Sequence, residues 1–386
     1  MGLCNSIEFQ SDMHLVIVGG GYGGSHLALQ MIKANICKVT LIDPRDAMFH
    51  SIGALRATVD DDYMKNLFLP YESMIGDSFM RGYVENIDTK SKILILKDGR
   101  TVAYTHLVIA VGSRSNFPSN LSKDYPDVNI DEGKEIYTDY REEIMKSRRI
   151  VLVGGGAVGV ELAGEIKTDY PDKSVTIVSS TNYLVSSRTK TKFQRNLLNV
   201  LRAKEISVIL DERVSNLDEL IVNQTKEGQI VITEKGSKVD ADLIIPCTGT
   251  RVNNKFFQHE MGEFLSTRSI NAQGALKVNS YLQVKGHEEV IWALGDVTDV
   301  KEEKLAYHAQ RQAEVLAANF KADTTNSNRK QYKTDKGPFV IFVSVGRNDG
   351  VGQMFGVQVG SKIVKKVKGK DLLARKTWQV RGMTLP

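Results

Sequence analysis

The stretch that decides the fold is His14-Leu15-Val16-Ile17-Val18-Gly19-Gly20-Gly21-Tyr22-Gly23-Gly24, followed by Ser25-His26-Leu27-Ala28-Leu29-Gln30-Met31-Ile32. An apolar, β-branched run ends in a glycine-rich turn that opens into a helical pattern. Gly19, Gly21 and Gly24 fall where one glycine permits the turn, one lets a pyrophosphate approach the backbone, and one lets helix pack on strand. The helix start offers unpaired N–H groups to phosphates, so Gly20, Tyr22 and Gly23 join the candidate contacts. A second apolar run, Lys38 to Ile42, ends in Asp43. A carboxylate about 20 residues past the turn accepts ribose hydroxyls in dinucleotide sites.

The pattern then recurs. Arg149 to Val153 is apolar, Gly154, Gly156 and Gly159 repeat the spacing, Val160 to Thr168 reads as a helix, and Ser174 to Val178 as the next strand. Each unit later has apolar runs broken by a turn: Lys92–Lys97 and Val102–Val111 around Asp98-Gly99 in the first, Gln229–Thr233 and Ala241–Gly249 around Gly236 in the second. The intervals Gly19–Gly112 and Gly154–Gly249 are nearly equal. The expected fold is α/β, with two tandem dinucleotide-binding (Rossmann-like) domains in a glutathione-reductase-like arrangement, each a parallel sheet with an antiparallel meander as crossover. The run Glu289–Leu294, ending at Gly295-Asp296, is expected to complete the first unit before a helix over 302–321. Asp296 would hold ribityl hydroxyls or merely cap a turn. The positive end of that helix, near Leu305, would point at a flavin's pyrimidine edge.

A small α+β C-terminal domain follows. The expected division is 1–11 as an N-terminal segment, 12–125 with 265–330 as the FAD unit, 126–264 as the NAD(P)H unit, and 331–386 as a domain on the membrane or quinone side. Two strands, within Phe339–Val345 and Gly356–Val359, precede Lys362-Ile363-Val364-Lys365-Lys366-Val367-Lys368. That basic run reads either as a surface for an anionic bilayer or as a solvated edge strand guarded by lysines.

At 386 residues, 41% hydrophobic and 25% charged, the chain suits a folded protein of two or three domains. Cys4, Cys37 and Cys247 are far apart and make no Cys-x-x-Cys, which argues against a metal site or a redox dithiol. Reduced thiols fit a cytosol-facing protein. No run approaches the ~18 apolar residues a spanning helix needs. The start Met1-Gly2-Leu3-Cys4-Asn5-Ser6 fits N-myristoylation on Gly2, with Cys4 available for palmitoylation. One acyl chain binds only marginally, so Cys4 and the basic tail are the second signals.

With these motifs the chain resembles the FAD-dependent pyridine nucleotide oxidoreductases, and among them the apoptosis-inducing-factor-like branch. The likeness is carried by Met1-Gly2, Ala54-Leu55-Arg56-Ala57, Gly159-Val160-Glu161 with Glu165-Ile166-Lys167-Thr168, Glu212 to Leu217, and Gly346-Arg347-Asn348-Asp349-Gly350-Val351-Gly352-Gln353. The resemblance implies FAD held by the first glycine loop, Arg56, Val84 and Asp296, and NADH or NADPH in the second unit. It also implies an NAD(P)H:quinone oxidoreductase that reduces ubiquinone or vitamin K-type quinones to radical-trapping hydroquinones, suppressing lipid peroxidation and ferroptosis. The expected location is the cytosolic face of membranes, including lipid droplets, plasma membrane and mitochondrial outer membrane. Ser115 to Tyr125 departs from the branch's pattern.

The residues support that route. Without a dithiol, the flavin's electrons must leave to an acceptor that diffuses in. Glu161 would either contact the nicotinamide–flavin stack or serve as a helix-start acid. Tyr307 and His308 either line the quinone side or are a packed aromatic and a surface histidine. Gly112 and Gly249 close the parallel strands beside the two cofactors. Ser179-Ser180 stands where the first unit has Asp43, so nothing repels a 2′-phosphate, and Arg188 and Lys190 follow. Both NADH and NADPH are therefore expected as donors. A soluble-acceptor reductase, or an NADH-gated effector of cell death or DNA binding, are the alternatives. No specific nucleic acid is expected, and a homodimer is compatible with the sequence.

Overall fold

Flanked on both sides by other strands, an apolar run with no polar face must lie mid-sheet, and the first run does. In the computed structural model, described over residues 12–121, 127–254, 268–334 and 339–386, β1 (His14–Val18) enters α1 (Tyr22–Ala34), which returns to β2 (Lys38–Asp43). The chain continues through α2 (Ala54–Ala57), β3 (Phe79–Arg81), an antiparallel meander of β4 (Val84–Asp88), β5 (Ile93–Leu96) and β6 (Thr101–Ala103), and β7 (His106–Ile109). β1 pairs in parallel with β2, Leu15 opposite Val39, and with β7, Leu15 opposite His106. The run Val102–Val111 is thus two strands. At Thr105 the chain leaves the meander, donating its N–H to His14, and joins the parallel sheet.

The second unit follows the same plan. α3 (Ile130–Lys146) opens on an Asn129/Glu132 capping box and leads to β8 (Arg149–Val153), α4 (Ala157–Asp169), β9 (Ser174–Val178), α5 (Thr191–Ala203) and β10 (Ile206–Ile209). β11 (Gln229–Ile232) and β12 (Lys238–Ala241) then precede β13 (Leu243–Pro246). The sheet order is β10-β9-β8-β13. Its crossover is a two-stranded hairpin with one extra bridge, Val214 to Thr233, so the meander of the first unit is here abbreviated. β14 (Ile291–Ala293) pairs in parallel with β7, giving a first sheet of order β14-β7-β1-β2-β3. The following helix, α6 (Ala306–Thr324), starts four residues later than expected. α6 packs on α1 through Leu27, Met31, Ala313 and Leu316, all fully or nearly fully buried. Truncating such a leucine costs about 2–5 kcal/mol.

The C-terminal domain has three antiparallel strands: β15 (Ile341–Val345), β16 (Asp349–Met354) and β17 (Val357–Val359). β16 was hidden by its glycines, which let it press against β15: a Cβ on Gly352 would meet Phe342 at 2.8 Å. The basic run is helical, correcting the edge-strand reading. α7 (Ser361–Val364) continues through a π-turn over Lys365–Gly369, burying Val364 while Lys362, Lys365 and Lys366 face out. α8 (Ala374–Val380) follows, before residues 381–386. Gly2 and Cys4, and the expected domain boundaries near 125 and 264, lie in or beside stretches outside the described residues.

Candidate active site

The first glycine turn has the division of labour its spacing suggests. Gly19 sits at φ +101°, a conformation open to glycine at little cost. A Cβ on Gly24 would meet the Gly19 carbonyl oxygen at 1.9 Å, so helix and strand touch there, whereas one on Gly21 would meet nothing within 4 Å. The backbone at Gly21 therefore faces open space. Gly154, Gly156 and Gly159 repeat all three properties, with φ +130° at Gly154 and 2.1 Å between a Gly159 Cβ and the Gly154 oxygen. The duplication read from spacing is a duplication of geometry.

In front of the first turn lies a cavity of about 1150 Å³, above the usual range for single small ligands. Of the expected contacts, Gly19, Gly21, Tyr22, Gly23, Asp43, Val84, Gly112, Glu161, Asp296 and Tyr307 line it. Asp43 is held by the Gly20 N–H at 2.7 Å on one oxygen and the Arg45 N–H at 3.0 Å on the other. A carboxylate has about four acceptor sites, so two donors leave room for ribose hydroxyls. Across the cavity, Asp296 accepts the Ser113 hydroxyl at 2.6 Å. The first turn of α6 also forms wall, presenting the positive end of the helix to the interior.

Glu161 lines the cavity and lies beyond the first turn of its helix, so it is not a helix-start acid. It lies on α4, buried, with Lys368 Nζ at 2.6 Å and the Ser344 N–H at 3.4 Å on the same oxygen. Burial pushes its carboxyl up, against the pull of Lys368. The acid is thus turned toward the C-terminal domain as one half of an ion pair in the cavity wall, rather than capping a helix. Lys368 was counted only as part of a basic surface, and no local signal links residues so distant in sequence. Arg381 of the same tail is also internal: its guanidinium donates to Ser25 Oγ, Thr377 O and Tyr22 O, and burial lowers its pKa to about 10.

Several expected contacts stand elsewhere. Arg56 does not line the cavity. Its guanidinium, 2% exposed, makes paired bonds of 2.9 and 2.8 Å to Glu165 and two more to the carbonyls of Gly369 and Lys370. Four of its five N–H groups are thus directed at α4 and the C-terminal domain. Gly20 and Gly24 lie behind the turn, against Tyr71 and Gly19. Gly154, Gly156, Gly159 and Gly249 lie outside the cavity, whose second-unit wall comes instead from residues such as Ala157, Glu161 and Thr250. Arg188 pairs with Glu303 at 3.2 Å and covers the Phe339 ring, while Lys190 donates to the Gly356 carbonyl. Both cations remain exposed to solvent, and Ser179-Ser180 supplies no repelling carboxylate. Tyr307 is exposed at the cavity, and His308 is largely covered rather than a surface histidine.

Residues 13–313 match the pyridine nucleotide-disulphide oxidoreductase family. The chain belongs to that family. Among its curated relatives it is 37% identical to ferroptosis suppressor protein 1 of Mus musculus, covering 97% of each chain, and 36% identical to that of Homo sapiens over the full length of both. Apoptosis-inducing factor homolog A of Dictyostelium discoideum is 32% identical over 93% of this chain and 89% of that one. Among solved structures, the sulfide:quinone oxidoreductase of Aquifex aeolicus superposes with a TM-score of 0.71 at 16% identity, covering 97% and 92% of the two chains. The NADH-bound water-forming NADH oxidase of Lactobacillus brevis gives 0.66 at 19% identity, covering 88% and 75%.

As a member of the family the chain is an FAD-dependent NAD(P)H oxidoreductase. The residues fit the flavin nucleotide: an open cradle at Gly21, with Asp43 and Asp296 on opposite walls. FAD supplies the two-electron relay between NAD(P)H and an acceptor. The family's disulphide chemistry has no counterpart among the described cysteines. Cys37 and Cys247 are unpaired, and burial raises their thiols to about 11 and about 12.

Proposed function

We propose that this protein is a membrane-associated NAD(P)H:quinone oxidoreductase, reducing ubiquinone or vitamin K-type quinones to radical-trapping hydroquinones and so limiting lipid peroxidation and ferroptosis. The observation that carries this reading is the cavity's second wall. Beside the nucleotide cradle, the C-terminal domain and the start of α6 add Val340, Phe355, Val367, Val380, Leu305 and Tyr307, all substantially exposed apolar or aromatic side chains. A hydrophobic acceptor suits such a wall, and the buried thiols offer electrons no internal exit. The names of the curated relatives and of the quinone-reducing structural neighbour point the same way.

The same face suits an anionic bilayer or lipid-droplet surface. Phe355, Val357 and Ile363 are exposed in the same C-terminal domain as Lys362, Lys365 and Lys366, and each cation near such a surface contributes about 1 kcal/mol. Myristoylation at Gly2, with Cys4 as a second acylation site, would place the protein on the cytosolic face. Among the described residues no helix is long and apolar enough to cross a membrane. Both NADH and NADPH serve as donors in this reading.

The test is NAD(P)H oxidation by flavin-replete protein with and without a short-chain ubiquinone analogue. Quinone should raise the rate at least about tenfold over oxygen alone, and a preference for NADH above about 100-fold in kcat/KM would refute the dual-donor reading. A rate indifferent to quinone, with a flavin–nicotinamide complex persisting for minutes, would favour the NADH-gated effector.

A further inference from the structure

A second set of titratable side chains borders the cavity where the chain enters α6. The Glu302 carboxylate, whose side chain is 5% exposed, accepts the Tyr332 hydroxyl at 2.8 and 2.9 Å and the Gln312 amide at 2.6 Å. Gln312 in turn accepts the Gly295 N–H at 2.7 Å, tying the group to the turn that carries Asp296. Burial and the neighbouring carboxylate push the Tyr332 phenol up, so it stays a donor. On the other side of Glu302 stands His308, with Nδ1 3.2 Å from Oε2, an ion-pair distance that lies off the line of an ordinary hydrogen bond. The imidazole side chain is 13% exposed and His308 lines the cavity.

This is the arrangement of an oriented acid. A carboxylate locked by two neighbouring side chains stands at ion-pair distance from the near nitrogen of the imidazole and leaves the far one for a ligand. We propose that His308, oriented by Glu302, donates the proton that completes reduction of the acceptor. The assignment rests on the quinone reading. NAD(P)H supplies a hydride equivalent, two electrons and one proton, which takes a quinone to the hydroquinone monoanion. The second proton passes from Nε2 of the His308 imidazolium to the anionic oxygen: an N–H bond breaks, an O–H bond forms, and the neutral imidazole regains a proton from water before the next turnover. Glu302 is the positioning residue. The charged and titratable groups around His308 are Glu302, Glu303 and Lys304 in the preceding loop, Asp296 in the turn after β14, Tyr332, and Tyr307 and Arg311 on its own helix.

The experiment compares flavin-replete wild type, His308→Gln and Glu302→Gln with two acceptors: a short-chain ubiquinone analogue, and ferricyanide, which takes an electron and no proton. FAD content and the flavin spectrum verify that each variant is intact. In His308→Gln the quinone rate should fall at least about 100-fold more than the ferricyanide rate, within the range for general acid catalysis. The wild-type quinone rate should decline on the alkaline side, that limb should vanish in His308→Gln, and Glu302→Gln should lower kcat for quinone while leaving KM and the ferricyanide rate little changed. Equal losses with both acceptors, or an alkaline limb unchanged in His308→Gln, overturns the assignment alone. Wild-type protein that reduces ferricyanide but no quinone overturns the acceptor reading, and this assignment with it.

Discussion

Arg56 separates two accounts of one residue. If it holds FAD, as the resemblance implies, removing it weakens the cofactor. The structure gives it another task, tying α2 to α4 and to the C-terminal domain through Glu165, Gly369 and Lys370. In Arg56→Ala the Glu165 side chain, 1% exposed, is left charged and unpaired. Breaking such a buried pair costs about 3–5 kcal/mol, and two carbonyls losing charged donors add about 1 kcal/mol each. The expected loss, about 5–7 kcal/mol, is a large part of an ordinary folding free energy. Arg56→Lys keeps the charge but cannot span four acceptors, so it should fall between, and the double variant Arg56→Leu/Glu165→Leu should recover most of the loss because no charge stays buried alone. Urea unfolding of FAD-saturated protein, followed by tryptophan fluorescence, measures the loss. FAD titration under conditions where each variant is fully folded measures the cofactor. Stability within about 1 kcal/mol of wild type, with FAD bound at least about 100-fold more weakly, would refute the structural role.

Three further outcomes are expected. Gly21→Ala should fold with wild-type apoprotein stability yet bind FAD at least about tenfold more weakly, because its methyl enters the open cradle, while Gly24→Ala should be destabilised by at least about 2 kcal/mol through its clash with Gly19; calorimetry and FAD titration read both, and similar behaviour of the two variants would contradict the geometry. Lys368→Met leaves Glu161 buried without its cation, so quinone reduction should drop at least about tenfold with FAD retained, and a variant as active as wild type would remove the pair from the site. Burial lowers the His50 imidazole to about 3, so between there and its unfolded value near 6.5 the unfolded chain binds a proton that the fold does not; stability should fall on acidification by about 1.4 kcal/mol per pH unit from this group, and denaturation of His50→Gln should have a correspondingly flatter pH dependence, identical slopes being the contrary result.

The glycine turns, Asp43 and the strand at 291–293 were legible because each is a local pattern: spacing, periodicity, and a carboxylate at the end of a strand. Their partners were not. Gly369, Lys370 and Lys368 meet α2 and α4 only through the path of the tail, and a lysine in a basic run looks alike whether it faces water or a buried acid. The same blindness hid Glu302, Gln312 and Tyr332, whose meeting depends on where a loop lies against α6. β16 went unseen because its glycines mimic turns, although they serve close strand contact. The 362–368 run alternates ambiguously, and only the burial of Val364 decides for a helix.

The tail explains why two nucleotide units do not by themselves make this site. Arg347 reaches Asp60 in the first unit at 2.8 Å and Asp169 in the second at 2.7 Å, so one residue of the C-terminal domain is ionically joined to both. Arg56 and Glu165 form a second tie across the same three bodies, and Lys368 a third through Glu161. Further along, the Tyr22 hydroxyl meets His50, His50 meets the Leu372 carbonyl, and Trp378 donates to the Asn66 carbonyl, which seats the tail against the first unit. Ties of this kind fix orientation more than they add stability, since each buried charge gives up hydration on the way in. Their consequence is positional: the wall that carries Lys368, Val367 and Phe355 is held to the cradle that carries Gly21, and the cavity becomes a property of all three parts of the chain at once.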